Sequence, residues 1–94
     1  MTNTFEQFDV ETAIETAVEK DIINSLVIYN DDINTFEHVI ETLIEVCDHS
    51  PDQAEQCTLL IHHKGKCAVK KGSFTELIPF RNGVCERGIS AEII

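Results

Sequence analysis

The chain has 94 residues, a formal net charge of −10, 43 % hydrophobic residues and four cysteines. That length suits one small domain with a thin core, and the acidity repels phosphate backbones, which argues against nucleic-acid binding. No apolar run is long enough to span a bilayer and no basic-then-apolar start resembles a signal peptide, so a cytoplasmic protein with no membrane contact is expected.

The charge is uneven. Residues 1–50 carry twelve Asp/Glu and one Lys, whereas residues 51–94 carry five Asp/Glu and six Lys/Arg. Residues 1–22 offer one narrow apolar stripe, Val10, Ile14, Ala17 and Val18, in acidic surroundings. They read as a mobile or marginally helical extension ahead of a domain over residues 23–94.

The first element of that domain is the β-branched run Asn24 to Tyr29, which predicts a strand. Phe36, Val39, Ile40, Leu43 and Cys47 then recur at helical spacing, with Glu37, Glu41 and Glu45 on the opposite face. Ser50-Pro51 with Gln53 predicts a second helix start, and Gly65 its end, so this helix spans about Pro51 to Lys64. Cys67 and Val69 alternate with lysines as a strand with one wet face. Ser73 and Glu76 form a further capping box, but Pro79 inside the following helix predicts a bent or short element. The segment ISAEI, from Ile89, closes the chain as a strand. The order β-α-α-β-α-β predicts an α+β fold, an antiparallel three-stranded sheet with helices packed on one side.

Two polar features interrupt this pattern. Asn30-Asp31-Asp32 stands between the first strand and first helix. These residues end strands and form turns by bonding their own backbone, or their oxygens converge on a cation. A metal would want more oxygen ligands than this, whereas an amine needs two or three acceptors. His62 lies in the last turn of the second helix, where it favours the helix dipole or offers a ring nitrogen at a pocket rim.

The four cysteines, Cys47, Cys57, Cys67 and Cys85, contain no C-x-x-C pair and are expected to be buried thiols. Cys47 or Cys57 with His49 matches no usual zinc spacing, so neither a metal nor another cofactor is expected. No catalytic signature is present, and a non-enzyme is the reading.

Taken together, VIYNDDINTFEHVIETL, DQAEQCTLLIHHKGK and the final GISAEI resemble the ClpS family of N-degron adaptors, from about Leu26 to the end. The N-D-D junction before an apolar helix and the H-x-x-G-K ending the next carry the resemblance. It implies a monomeric adaptor that binds proteins beginning with Leu, Phe, Tyr or Trp. Such adaptors deliver them to an AAA+ Clp unfoldase of the ClpA or ClpC type. By the same resemblance, Asn30, Asp31, Asp32 and His62 surround the substrate's terminal ammonium. Asn34, Phe36, Val39, Thr42, Thr58, Ile61 and Ile89 match the wall of the side-chain pocket, and the N-terminal extension engages the unfoldase.

The chain departs from the family's pattern in three places. Phe36 and Thr58 stand where methionines are common, Asn34-Thr35 replaces a common Thr-Pro, and the third-helix region is shorter. The rival reading is a non-catalytic domain of similar topology that docks whole proteins through its helix faces, like the ribosomal stalk domain.

Overall fold

The computed structural model describes residues 23–94. The apolar stripe proposed between Val10 and Val18 lies outside them. Three strands and three helices follow in the expected order: β1 (Asn24–Tyr29), α1 (Phe36–Cys47), α2 (Pro51–Lys64), β2 (Lys66–Gly72), α3 (Phe74–Glu86) and β3 (Ala91–Ile93). The sheet order is β2-β1-β3, with β1 antiparallel to both neighbours.

Alternation along β1 sends Leu26 and Ile28 to one face of the sheet. There they join one apolar cluster with Val39, Leu43 and Cys47 of α1, Ala54 and Ile61 of α2, and Leu77 and Val84 of α3. All three helices therefore cover the same face, as an α+β layer arrangement requires.

The helix limits follow from local chemistry. Thr35 caps α1 by accepting from the His38 N–H, and Asp48 closes it in the left-handed region at φ 60°. Ser50 accepts from the Gln53 N–H, Pro51 takes the first turn of α2, and Gly65 ends it at φ 92°. Among the described residues the reciprocal two-bond capping box is formed at α3, between Ser73 and Glu76.

Pro79 does not cut α3 short. The helix runs 13 residues through it. The proline forfeits one bond, to the Thr75 carbonyl, and both residues are exposed, so that carbonyl is open to solvent rather than buried without a partner. β3 is shorter than expected because Ile89 turns into the core at 2 % exposure rather than joining the ladder.

β2 gains one residue relative to β1: Leu26 faces Lys70, but Val27 faces Ala68. The extra residue, Val69, turns its side chain into the core, and its carbonyl accepts from His49 Nε2 at 2.7 Å.

The close approach of α1 and α3 rests on Gly83. A Cβ there would meet Val46 Cγ1 at 2.8 Å. Val46 is stiff at χ1 in a helix, so the contact cannot be relieved cheaply. Overpacking costs about 1–3 kcal/mol, while alanine's helix propensity returns about 1 kcal/mol. Gly83→Ala is thus expected to destabilise by about 1 kcal/mol net, a fall in Tm of about 4–8 °C for a domain this size. A thermal melt at or above that of the unmutated protein would show that the helices can move apart.

Candidate functional site

The register of β1 brings the two sequence motifs together. Tyr29 pairs with Lys66, so the chain leaving β1 runs beside the turn that ends α2. The Asn30 N–H donates to the Gly65 carbonyl at 2.9 Å, which fixes Asn30 one helical turn from His62. On the other flank Ile28 pairs with Ala91, and the Tyr29 N–H donates to the Ser90 carbonyl. The α3–β3 turn, with Gly88 and Ile89, is thereby brought to the same end of the sheet.

Asp31 organises the loop between these flanks. Its Oδ1 accepts from the backbone N–H of Ile33 at 2.9 Å and of Asn34 at 2.8 Å. Its Oδ2 accepts from Asn34 Nδ2 at 2.7 Å. The same Nδ2 group donates to the Gly88 carbonyl at 2.9 Å, so Asn34 ties the loop to the α3–β3 turn. These bonds, the Asn34 backbone N–H first, hold the Asp31 carboxyl below the usual carboxylate range. A second tie runs from His38 Nε2, which donates to the Arg87 carbonyl at 2.9 Å.

Tyr29, Asn30, Asp31, Asn34, Val39, Ile61, His62 and Ile89 line one small cavity. Its polar rim comes from the β1–α1 loop and His62, and its apolar wall from Val39, Ile61 and Ile89. The free volume is about 10 Å³, room for about one water. Seven of the eleven residues named from the sequence therefore share this cavity. The other four do not line it. Asp32 is exposed on the loop. Phe36 lies beside it, with its ring stacked on His62 at 5.2 Å between centroids and 17° between planes. Thr42 and Thr58 are fully buried behind the wall, each bonding back to its own helix. Thr42 Oγ1 donates to the His38 carbonyl at 2.8 Å and Thr58 Oγ1 to the Ala54 carbonyl at 2.7 Å. Neither hydroxyl is left unpaired in an apolar surrounding.

Tyr29, which the sequence did not single out, lines the cavity, and its hydroxyl donates to Glu92 Oε1 at 3.2 Å. Its position at the end of β1, next to Asn30, is the signal that was available. The His38–Arg87 and Asn34–Gly88 ties had no local signal, being 49 and 54 residues apart.

A larger open hollow, about 400 Å³, is lined by Cys47, Asp48, His49, Gln53, Val69, Lys70 and Lys71. It contains none of the motif residues and lacks an apolar wall that would hold a side chain.

The cysteines are free thiols, but they are not all buried as expected. Cys47 is buried, Cys57 and Cys67 are half-buried and Cys85 is exposed, because it falls on the outer face of α3. Burial pushes the Cys47 thiol up to about 11 and the Cys67 thiol up to about 12, which disfavours the thiolate that nucleophilic chemistry needs. Among the described residues no group of three His, Cys, Asp or Glu is placed to hold a metal ion. Among them, too, no helix is long and apolar enough to cross a membrane.

Comparison with known proteins gives these features a context. Residues 19–87 match the family model of the ATP-dependent Clp protease adaptor protein ClpS. The chain is 36 % identical over 70 residues to the ATP-dependent Clp protease adapter protein ClpS of Nitratidesulfovibrio vulgaris, covering 72 % of this chain and 70 % of the relative. It is 33 % identical over 69 residues to that of Helicobacter hepaticus, covering 71 % and 70 %. Its fold is similar to Agrobacterium tumefaciens ClpS2, solved bound to L-phenylalaninamide. The TM-score is 0.61 and the identity 20 %, over 77 % of this chain and 96 % of that one. With the family model matching well over half of its length and two relatives above 30 % identity, the chain belongs to the ClpS family of Clp protease adaptor proteins.

Proposed function

We propose that this adaptor recognises substrate proteins by a bulky apolar first residue, Leu, Phe, Tyr or Trp, and delivers them to an AAA+ Clp unfoldase of the ClpA or ClpC type. The observation that carries the reading is the convergence of an acceptor-rich loop and His62 over an apolar wall. A free N-terminus has matching parts. Its ammonium has three donors, its first peptide group follows at once, and its side chain branches from the same carbon.

In this reading Asn30, Asp31, Asp32 and His62 face the ammonium, and Val39, Ile61 and Ile89 meet the side chain. The Agrobacterium relative's ligand, L-phenylalaninamide, carries the same three parts. Burying a Leu or Phe side chain contributes about 1.5–3 kcal/mol. Each bond to the ammonium contributes about 1.5–3 kcal/mol against its desolvation. Both terms are needed, since an internal residue has no ammonium and a small first residue leaves the wall uncovered. The adaptor works as a monomer, and no step of this recognition calls for a cofactor or a catalytic group.

The test is a set of peptides that vary in residue one alone, titrated by fluorescence anisotropy. Leu-, Phe-, Tyr- and Trp-initiated peptides are expected to bind, and Gly- or Ser-initiated ones not. Equal binding of all would contradict the reading.

Phe36 adds a preference within the set. An aromatic first residue gains an edge-to-face contact with its ring, about 0.5–1.5 kcal/mol beyond area burial, which Leu does not gain. Phe and Tyr are therefore expected to bind at least as well as Leu, and β-branched Ile and Val poorly. Phe36→Met removes the ring and is expected to move the preference toward Leu by about two- to tenfold. An unchanged ranking in that variant would remove Phe36 from the specificity argument.

A further inference from the structure

Two apolar walls of the candidate cavity, Val39 and Ile61, stand on α1 and α2, where the helix backbone holds them. The third, Ile89, stands in neither helix nor strand. It occupies the turn between α3 and β3, directly after Gly88 at φ 82°. Its own N–H reaches the Val84 carbonyl at 3.4 Å, a long bond. On the β3 side the sheet holds this turn, where the Tyr29 N–H donates to the Ser90 carbonyl. On the α3 side another support is needed.

The chain entering and forming α1 supplies it. His38 Nε2 donates to the Arg87 carbonyl at 2.9 Å, and Glu45 Oε1 accepts from Arg87 Nη1 at 2.6 Å. Positions 38 and 45 fall two turns apart on one face of α1, so Arg87 is gripped at its backbone and at its guanidinium. Asn34 Nδ2 holds the next carbonyl, that of Gly88, at 2.9 Å. His38 immediately precedes Val39, so one turn of α1 carries one wall and also holds the main chain that leads to the opposite one.

The two grips on Arg87 differ in weight. The Arg87 and Glu45 side chains are 36 % and 59 % exposed, and an ion pair in such surroundings contributes little. His38 is half-buried, and its bond fixes a backbone carbonyl in direction as well as distance.

Taking the cavity as the first-residue pocket, we infer that His38 is a positioning residue for substrate choice. Through the Arg87 carbonyl it holds Ile89 toward Val39, and so sets the breadth of first side chain that packs best. His38 itself does not line the cavity. Its pull is toward α1, so its loss lets the turn move outward and widens the gap between Val39 and Ile89. A leucine side chain then loses contact, whereas a broader indole still spans the gap.

His38→Ala is therefore expected to shift the ratio of Trp- to Leu-initiated peptide affinity toward Trp by about two- to tenfold, the worth of one hydrogen bond. His38→Gln carries an amide that reaches the same carbonyl, and is expected to restore the unmutated ratio. Glu45→Gln is expected to move it by less than about twofold. Simple loss of stability would lower the signal for both peptides alike and leave their ratio unchanged.

Anisotropy titrations of the two peptides, each below the melting temperature of the variant used, measure the ratio. NMR of the ¹⁵N-labelled His38 ring in the unmutated protein does not depend on any variant's folding. It is expected to show a hydrogen fixed on Nε2 and shielded from exchange. An unchanged ratio in folded His38→Ala overturns the inference while leaving the pocket reading in place. So does His38→Gln that behaves as the alanine variant does, or a His38 ring whose hydrogen moves freely between its two nitrogens. If the unmutated protein binds neither peptide, the pocket reading fails and the inference with it.

Discussion

Acetylating the first residue of a Leu-initiated peptide is expected to abolish its binding. The apolar side chain is untouched by this change, so burial against Val39, Ile61 and Ile89 remains available. What disappears is the charge and two of the three donors. In their place stands a carbonyl directed at a loop whose Asn30 and Asp31 side chains line the cavity rim. Hydrogen bonds to a charged group are worth about 1.5–3 kcal/mol each. Losing two lowers affinity by roughly a hundredfold or more, before repulsion between facing acceptors is counted. His62→Ala removes a single partner and is expected to weaken the free peptide by about ten- to a hundredfold. Anisotropy titrations of matched free and acetylated peptides decide the matter. Equal affinities would mean that the loop does not read an amine.

The second large effect is expected at Asp31. Both of its carboxylate oxygens are occupied within the loop, so it acts by positioning Asn30 and Asn34 as much as by its charge. Asp31→Asn shows how little freedom the arrangement has. One oxygen of the new amide can keep the two backbone N–H bonds. The other position becomes a donor facing the Asn34 amide, which already donates to both Asp31 and Gly88. Flipping Asn34 relieves that conflict but puts its oxygen against the Gly88 carbonyl. The loop must let go of one flank, and with it the negative charge is gone. Peptide affinity is expected to fall by about a hundredfold. Binding within about threefold of the unmutated protein would show that the loop geometry is not set here.

The pH dependence follows with a definite sign. The folded state depresses the Asp31 pKa, chiefly through the Asn34 N–H. Its contribution to loop stability is then complete above the unfolded value of about 3.9 and is lost as pH falls through the depressed value. Asp31 therefore leaves affinity flat from neutral pH to about 5 and loosens the loop in stronger acid.

The boundaries of α2 were legible because each rests on one residue's local chemistry: Ser50 and Pro51 at its start, Gly65 at its end. The same holds for β1 and for the start of α1 at Phe36. Pro79 predicts a bent or short α3, and it does not shorten it, because its cost depends on exposure, which no local pattern shows. Thr75 and Pro79 both lie on the solvent side of α3, so the orphaned carbonyl is open to water and the helix continues. The extra Val69 in β2 and its bond from His49 were hidden for a different reason, since a bulge is defined by the partner strand.

At the candidate site, the sequence pointed to the residue types, and the resemblance supplied their roles. It did not show that Thr42 and Thr58 spend their hydroxyls on their own helices. Nor did it show the stack of Phe36 on His62, two side chains from different helix ends whose meeting depends on how α1 and α2 cross.

The most direct test of the central claim uses the smallest ligand that carries a free amine, an apolar side chain and a first amide. Leucinamide is titrated into the uniformly ¹⁵N-labelled protein and amide shifts are followed by NMR. The account predicts saturable changes concentrated at residues 30–36, 61–62 and 88–89, all with one dissociation constant and absent with N-acetyl-leucinamide. Changes spread over the outer helix faces, or equal responses to both compounds, would contradict it and favour a domain that docks whole proteins by its surface.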